Sequence, residues 1–158
     1  MRRQHTVKLN RDWAEFIELL ISHRVRFLVV GAHALAAHGR PRYTGDLDVL
    51  VEPTKANAKR LERVFRAFAG DSLADEASRF SMPDKMVSIG AVPTRLDVMT
   101  SISGVLFAEA WKSRLPVRFG AQFIGVLGRA AFIKNKRAAG RPKDLLDIAL
   151  LEETHPQS

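Results

Sequence analysis

Apolar residues recur along this chain with two different periods, and these periods predict its helices and strands. Helical spacing predicts helices at about 12–23, 32–38, 55–69, 105–111, 128–138 and 143–153. Short apolar or alternating runs predict strands at 26–30, 46–51, 86–89, 95–99, 117–119 and 122–126. A polar stretch around 71–85 shows no period. Strands interleaved with helices in this order predict an α/β or α+β fold with one central mixed sheet flanked by helices.

The length and composition narrow the class of protein. With 158 residues, the chain has the length of one ordinary domain, so we expect a single domain over 1–158. The absence of cysteine excludes disulfides and thiolate metal sites. No apolar run approaches the roughly 18 residues of a membrane span, and the N-terminal segment lacks the apolar stretch of a signal peptide. We therefore predict a cytoplasmic protein with no membrane partner.

The net charge of +8 is spread unevenly. Residues 1–11 carry four bases and no acid, and residues 111–143 carry nine bases and no acid, whereas the rest holds 12 bases and 17 acids. The nine bases are Lys112, Arg114, Arg118, Arg129, Lys134, Lys136, Arg137, Arg141 and Lys143. This basic segment suggests a polyanionic partner such as a nucleoside triphosphate or RNA, although a solvated basic surface would explain the charge equally well.

A pair of acids, Asp46 and Asp48, lies in one of the predicted strands. Residues two apart on a strand point to the same face, so both carboxylates project together while Leu47 points the other way. Adjacent carboxylates repel unless a cation lies between them, and hard oxygen ligands favour Mg²⁺ or Mn²⁺. The pair alone is weak evidence, because a solvated acidic strand in a chain with 17 acids would also produce it.

The context of the pair strengthens the chemical interpretation. Upstream, Gly31 and Ala32 form a tight turn between a predicted strand and helix, a geometry that directs backbone N–H groups at an anion. Downstream, Asp97 stands alone between apolar neighbours and needs a partner or a metal. The chain has no phosphate loop, no dinucleotide-binding glycine motif, no zinc-protease motif and no nucleophile elbow. The residues that remain are those of two-metal phosphoryl or nucleotidyl transfer.

The segment 29–51 resembles the signature of the DNA polymerase β-like nucleotidyltransferases, in which a glycine and a second small residue precede an Asp-apolar-Asp pair and a later third acid. Here Gly31-Ala32 is followed by thirteen residues (33–45), then by Asp46-Leu47-Asp48 and, later, by Asp97. The run from Arg42 to Asp48 and the tail at 135–152 resemble small prokaryotic members related to the abortive-infection toxin and minimal nucleotidyltransferases. The family prefers glycine or serine where this chain has Ala32.

The resemblance implies roles for six of the candidate residues. Asp46, Asp48 and Asp97 would ligate Mg²⁺ or Mn²⁺ and act as the catalytic carboxylates, with Asp97 helping to deprotonate the attacking hydroxyl. Gly31 and Ala32 would cradle the β- and γ-phosphates, and Lys136 matches a recurring Asn-Lys in the family's tail. We further expect Arg42, Lys136 and Arg141 to bind nucleotide by neutralising charge on the triphosphate or acceptor, with a surface role as the alternative for Arg42 and Arg141.

Three functions are compatible with these residues. The leading hypothesis is a metal-dependent nucleotidyltransferase that moves NMP from an NTP to a hydroxyl of RNA, a protein or a small molecule. The alternative is a catalytically silent member of the same fold that serves as a binding module or as an antitoxin-like partner module. Retention of all three carboxylates favours the enzyme, and Ala32 favours the silent module. In the third, the chain is a basic RNA-binding domain and the acids are incidental.

Overall fold

The computed structural model describes residues 9–40 and 44–154. Within these ranges the helices are α1 (Arg11–Ser22), α2 (Ala32–Ala37), α3 (Lys55–Ala69), α4 (Asp71–Ala74), α5 (Phe107–Lys112), α6 (Arg129–Ala139) and α7 (Pro142–Thr154). The strands are β1 (Phe27–Val30), β2 (Asp46–Val51), β3 (Met86–Ile89), β4 (Arg95–Met99), β5 (Leu115–Phe119) and β6 (Gln122–Val126). Every helix and strand predicted from the hydrophobic pattern is therefore present, with ends that differ by two residues or fewer.

The differences between pattern and structure have local causes. The polar stretch contains α4 and a 3₁₀ helix, Ala77–Ser81, and both are too short to show a helical period. Helix α5 begins two residues late because Val105 forms a β-bridge with Ile102 and Leu106 is extended (φ −78°, ψ 150°). Strand β5 begins two residues early and includes Pro116, which is tolerated because β5 lies at a sheet edge.

The strands hydrogen-bond in the order β3-β4-β2-β1-β6-β5. The pairs β2–β4 and β1–β6 are parallel, whereas β3–β4 and β5–β6 are antiparallel. The predicted fold class, a mixed sheet flanked by helices, is confirmed. By its contacts the described chain divides into two compact units. Unit 1 contains 28–40, Thr44 and 102–154, and unit 2 contains 9–27 and 45–101.

Unit 2 has an aromatic core between α1, α3 and the 3₁₀ helix. Phe16, Phe65 and Phe80 are fully buried, and their rings pack in sequence, with centroids 6.4 Å apart for the first two and 5.8 Å for the last two. The side chain of Asn10 caps α1 by accepting a hydrogen bond from the Trp13 N–H. The indole Nε1 of Trp13 donates to the Arg95 carbonyl at 3.1 Å, which ties α1 to β4.

Unit 1 is organised around the pairing of β1 with β6. Val29 lies beside Val126, and the N–H of Leu127 extends the pairing by donating to the Val29 carbonyl at 2.9 Å. Phe132 of α6 is fully buried in this unit. No helix in the described part of the chain is long and apolar enough to cross a membrane.

The aromatic core predicts unequal costs for two Phe→Ala substitutions. Phe65→Ala should lower the free energy of unfolding by about 3–5 kcal/mol, because it removes a fully buried ring and leaves a cavity. Phe123→Ala is the matched control, since that ring is 59% exposed, and its cost should be much smaller. Urea unfolding measures both. Equal losses in the two variants would contradict the core described here.

Candidate metal centre

The register of β2 and β4 brings acidic residues together within unit 2. In this parallel pair, Asp48 lies directly beside Asp97, and Asp46 lies beside Arg95. Because alternate residues of a strand share a face, all four side chains emerge on one side of the pair. The intervening residues Leu47, Val49, Leu96 and Val98 are buried, with exposures of 0–1%. The alternation of the sequence therefore fixes the acidic face: slipping either strand by one residue would bury its charges.

The three predicted carboxylates meet at this face. One oxygen from each of Asp46, Asp48 and Asp97 lies within 4.8 Å of the other two. Among the residues that the structure describes, no other group of three acidic or histidine side chains comes this close. The Asp46 side chain is 27% exposed and the Asp97 side chain 10%, so one end of the cluster reaches solvent and the other is nearly enclosed.

Two further side chains hold the carboxylates in place. The Ser88 hydroxyl on β3 donates to Asp97 Oδ1 at 2.7 Å. The Arg95 guanidinium donates to Asp46 Oδ2 at 2.8 Å and lies 3.4 Å from Asp97 Oδ2. The hydrogen bond to Asp46, followed by the charge of Asp97, raises the pKa of Arg95 above its ordinary value. Neither residue was singled out from sequence, although Arg95 stands two positions before Asp97 and so had to share its face.

The donor set fits a divalent cation. Its ligand atoms are hard carboxylate oxygens without nitrogen or sulfur, which suits Mg²⁺ or Mn²⁺. Oxygens bound to one such ion lie about 2.0–2.1 Å from it, so ligands a few ångströms apart need only small side-chain rotations to share it. Asp46, Asp48 and Asp97 are the residues that would hold the metal.

Gly31 and Ala32, predicted to bind phosphate, belong to unit 1. Gly31 precedes α2 with φ 70° and ψ −148°, a conformation that favours glycine. Its carbonyl accepts hydrogen bonds from the N–H groups of Ala34 and Leu35. The backbone conformation of this turn therefore requires glycine at position 31. The role of Gly31 and Ala32 in binding phosphate stays a prediction. Arg42, also predicted to bind nucleotide, lies outside the described residues.

Lys136 and Arg141, the other predicted nucleotide ligands, take part in an ionic network of unit 1. Lys136 is buried, with Nζ 3.2 Å from Asp144 Oδ1 and 3.8 Å from Asp147 Oδ2. Arg141 donates from Nε to Asp144 Oδ2 at 2.7 Å. Burial alone would raise the pKa of Asp144, but the hydrogen bonds from Arg141 and Lys136 outweigh it and lower that pKa to about 2. The network gives both cations a structural role that sequence reasoning missed, and their nucleotide role stays a prediction.

The basic segment, residues 111–143, contains no acid in sequence, but several of its bases lie beside acids in the structure. Among the described residues, four of its bases pair with acids from outside the segment, all within unit 1: Lys134 with Glu109, Lys136 with Asp144, Arg137 with Glu152, and Arg141 with Asp144. Two others lie over aromatic rings: Arg114 stands 3.9 Å from the Trp111 ring centroid, and Arg118 stands 6.0 Å from that of Phe123. An acid-free stretch of sequence is therefore not an acid-free surface.

The fold of this chain is similar to that of a solved structure. No protein-family model and no curated protein matches this chain. Among solved structures, the chain is similar to a "putative nucleotidyltransferase" from Thermotoga maritima, with a TM-score of 0.58, 18% sequence identity and coverage of 98% of each chain. The chain has a nucleotidyltransferase fold. The resemblance read from the sequence motifs is supported at the level of fold, while the relation to abortive-infection toxins stays a prediction.

The Asp144 network predicts an acid-dependent loss of stability. Because the pKa of Asp144 is lowered to about 2 in the folded chain, its contribution to stability is present above about pH 4 and is lost as the pH falls through 2. The loss should be about 2 kcal/mol. Urea unfolding between pH 5 and 2 measures it, and Asp144→Asn should be less stable at pH 5 but should lack this component of the pH dependence.

Asp75→Asn is the control, since Asp75 is exposed in unit 2 and takes no part in the network. This variant should follow the wild-type pH profile. An Asp144→Asn profile parallel to that of wild type over the whole range would contradict the assignment.

Proposed function

We propose that this protein is a metal-dependent nucleotidyltransferase that transfers NMP from an NTP to a hydroxyl acceptor. The observation that carries the proposal is the convergence of Asp46, Asp48 and Asp97 on one face of β2 and β4. Carboxylates on adjacent strands, with oxygens this close, repel each other. The positive charge of Arg95 offsets part of that repulsion, and a bound divalent cation would offset more of it. The likeness in fold to the Thermotoga maritima protein supports the reaction class, since that protein is described as a "putative nucleotidyltransferase".

The proposed roles follow from where each side chain lies. Asp46 and Asp48 would hold the metal from β2, and Asp97, beside Asp48 on β4, would complete the site. When bound, the metal would neutralise charge on the triphosphate and favour the ionised form of the acceptor hydroxyl. The Ser88 hydroxyl donates a hydrogen bond to Asp97 Oδ1 at 2.7 Å. This hydrogen bond orients the carboxylate that we expect to take the acceptor's proton.

The proposed reaction is a displacement at the α-phosphorus. The acceptor oxygen forms a bond to the α-phosphorus while the bond from that phosphorus to the bridging oxygen breaks, so pyrophosphate leaves with the electron pair. The acceptor proton passes to Asp97 and then to solvent. By the family resemblance, Gly31, Ala32 and Lys136 would contribute to nucleotide binding. We add Arg42 and Arg141 to this set for their positive charge.

The acceptor is a hydroxyl of RNA, a protein or a small molecule. RNA has specific support in unit 1, where Arg114 and Arg118 lie beside Trp111 and Phe123, because nucleic-acid bases stack on aromatic and guanidinium planes. Phe123 is 59% exposed and available for such stacking. We further propose that the chain works as one domain, in the cytoplasm.

Nucleotide binding is expected to depend on the carboxylates. Mg²⁺ together with a non-hydrolysable NTP should raise the melting temperature of the wild-type protein, because a ligand that binds only the folded state stabilises it. Asp48→Asn should abolish most of this shift by removing a metal ligand at constant side-chain size. Asp75→Asn, at an exposed acid of unit 2, should keep the full shift.

A transfer assay with labelled NTPs, using RNA, cellular protein and small molecules in separate arms, then tests the reaction. Label on one acceptor class, dependent on Asp48, supports the enzyme and names its acceptor. A normal thermal shift without transfer in any arm would instead favour the catalytically silent binding module. An undiminished shift in Asp48→Asn would mean that the nucleotide binds elsewhere.

A further inference from the structure

Arg95 already places a positive charge among the three carboxylates. Its Nη2 atom is 2.8 Å from Asp46 Oδ2 and 3.4 Å from Asp97 Oδ2, so one nitrogen bridges acids on two strands. Asp46, Asp48 and Asp97 are the residues whose oxygens converge on the candidate metal centre. The guanidinium therefore contacts two of the three carboxylates that a metal would need.

The backbone of Arg95 is fixed, while its side chain can move. The N–H of Arg95 donates to the Gly45 carbonyl at 3.1 Å, and its carbonyl accepts from Trp13 Nε1 at 3.1 Å. The side chain beyond this anchored backbone is 38% exposed. Leaving the carboxylates requires only rotation about side-chain bonds into solvent, and the strand can stay in place.

We propose that Arg95 is an internal counter-cation of the metal centre, which disfavours binding of a free divalent cation and favours binding of the metal together with a nucleotide. This inference rests on the proposed function, because it assigns a nucleotide to the same site. The inference goes beyond the proposed function in one respect: it assigns to Arg95 a preference of the site for the metal–nucleotide complex over the free metal ion.

The selection follows from charge. A divalent cation that reaches Asp46 Oδ2 and Asp97 Oδ2 comes within a few ångströms of the guanidinium, and at that distance like charges repel even when partly screened. Arg95 must therefore give up both ion pairs when the metal binds. A free cation offers the released guanidinium nothing in return. A triphosphate offers anionic oxygens that a guanidinium binds well, so its presence offsets the loss.

Binding of Mn²⁺ tests the proposal without any turnover. Affinities for Mn²⁺ alone and for Mn²⁺ with a non-hydrolysable NTP are measured by calorimetry and by the electron paramagnetic resonance of free Mn²⁺. Arg95→Gln should bind Mn²⁺ alone about tenfold more tightly than wild type, and the advantage of the metal–nucleotide complex over free metal should shrink. Arg79→Gln is the control, since Arg79 is a half-exposed arginine that pairs with Glu76 and not with any of the three carboxylates, and it should match wild type.

A measurement on the wild-type protein covers the case in which Arg95→Gln fails to fold. The side-chain Nε–Hε resonance of Arg95 in NMR spectra should change little with millimolar Mg²⁺ alone and shift when Mg²⁺ and the nucleotide analogue are added together. A full shift with Mg²⁺ alone would overturn the proposal.

The failure of this inference differs from the failure of the proposed function. If Arg95→Gln binds Mn²⁺ no more tightly than wild type, while Asp48→Asn loses binding, the metal centre stands and the role of Arg95 is wrong. If neither wild type nor Arg95→Gln binds Mn²⁺, with or without nucleotide, the proposed function itself fails.

Discussion

The parallel pairing of β2 with β4 is the constraint on which the candidate metal centre depends. Its register sets Asp48 beside Asp97 and Asp46 beside Arg95, and the period of two sends all four side chains to one face. The same alternation buries Leu47, Val49, Leu96 and Val98 on the other face. The apolar residues therefore do more than fill the core: they hold the register that brings the carboxylates together.

Buried or crowded carboxylates need positive charge, and the chain meets this need in two ways. In unit 1, Asp144 and Asp147 are 0–1% exposed and pair with Lys136, itself only 8% exposed. Opening that network would leave buried charges unpaired, so it is suited to a permanent structural role. In unit 2, Asp46 and Asp97 pair with Arg95, whose side chain is 38% exposed. Such an ion pair is weaker, so exchanging it for other contacts costs less than opening the buried network.

Much of the fold could be predicted from the hydrophobic pattern, because most elements are long enough to show a period. The 15 residues of α3 and the alternation of β2 are examples. The short helix α4 and the 3₁₀ helix at Ala77–Ser81 were missed, since four or five residues are too few to show a helical period. The start of α5 was placed too early because the helical spacing of apolar residues does not reveal the tight turn at Ser103 and Gly104, which bridges Ile102 to Val105.

The acidic residues of the candidate site could be predicted from the sequence, whereas the contacts of the basic residues could not. Asp46, Asp48 and Asp97 carried a spacing and apolar flanks that indicated shared chemistry. The contacts of Arg95 and Ser88 depend on which strands are neighbours, and that order was not predicted. The pairing of Lys136 with Asp144 depends on how α6 packs against α7, which charge counting along the chain does not reveal.

The central claim is that Asp46, Asp48 and Asp97 together bind a divalent metal. The most direct test is a crystal structure of the protein with Mn²⁺ and a non-hydrolysable NTP, with data collected at the manganese absorption edge. An anomalous peak should appear within coordination distance of oxygens from all three carboxylates, with the triphosphate bound at the same metal. Nucleotide density elsewhere on the protein, with no anomalous peak among the three carboxylates, would contradict metal binding at this site.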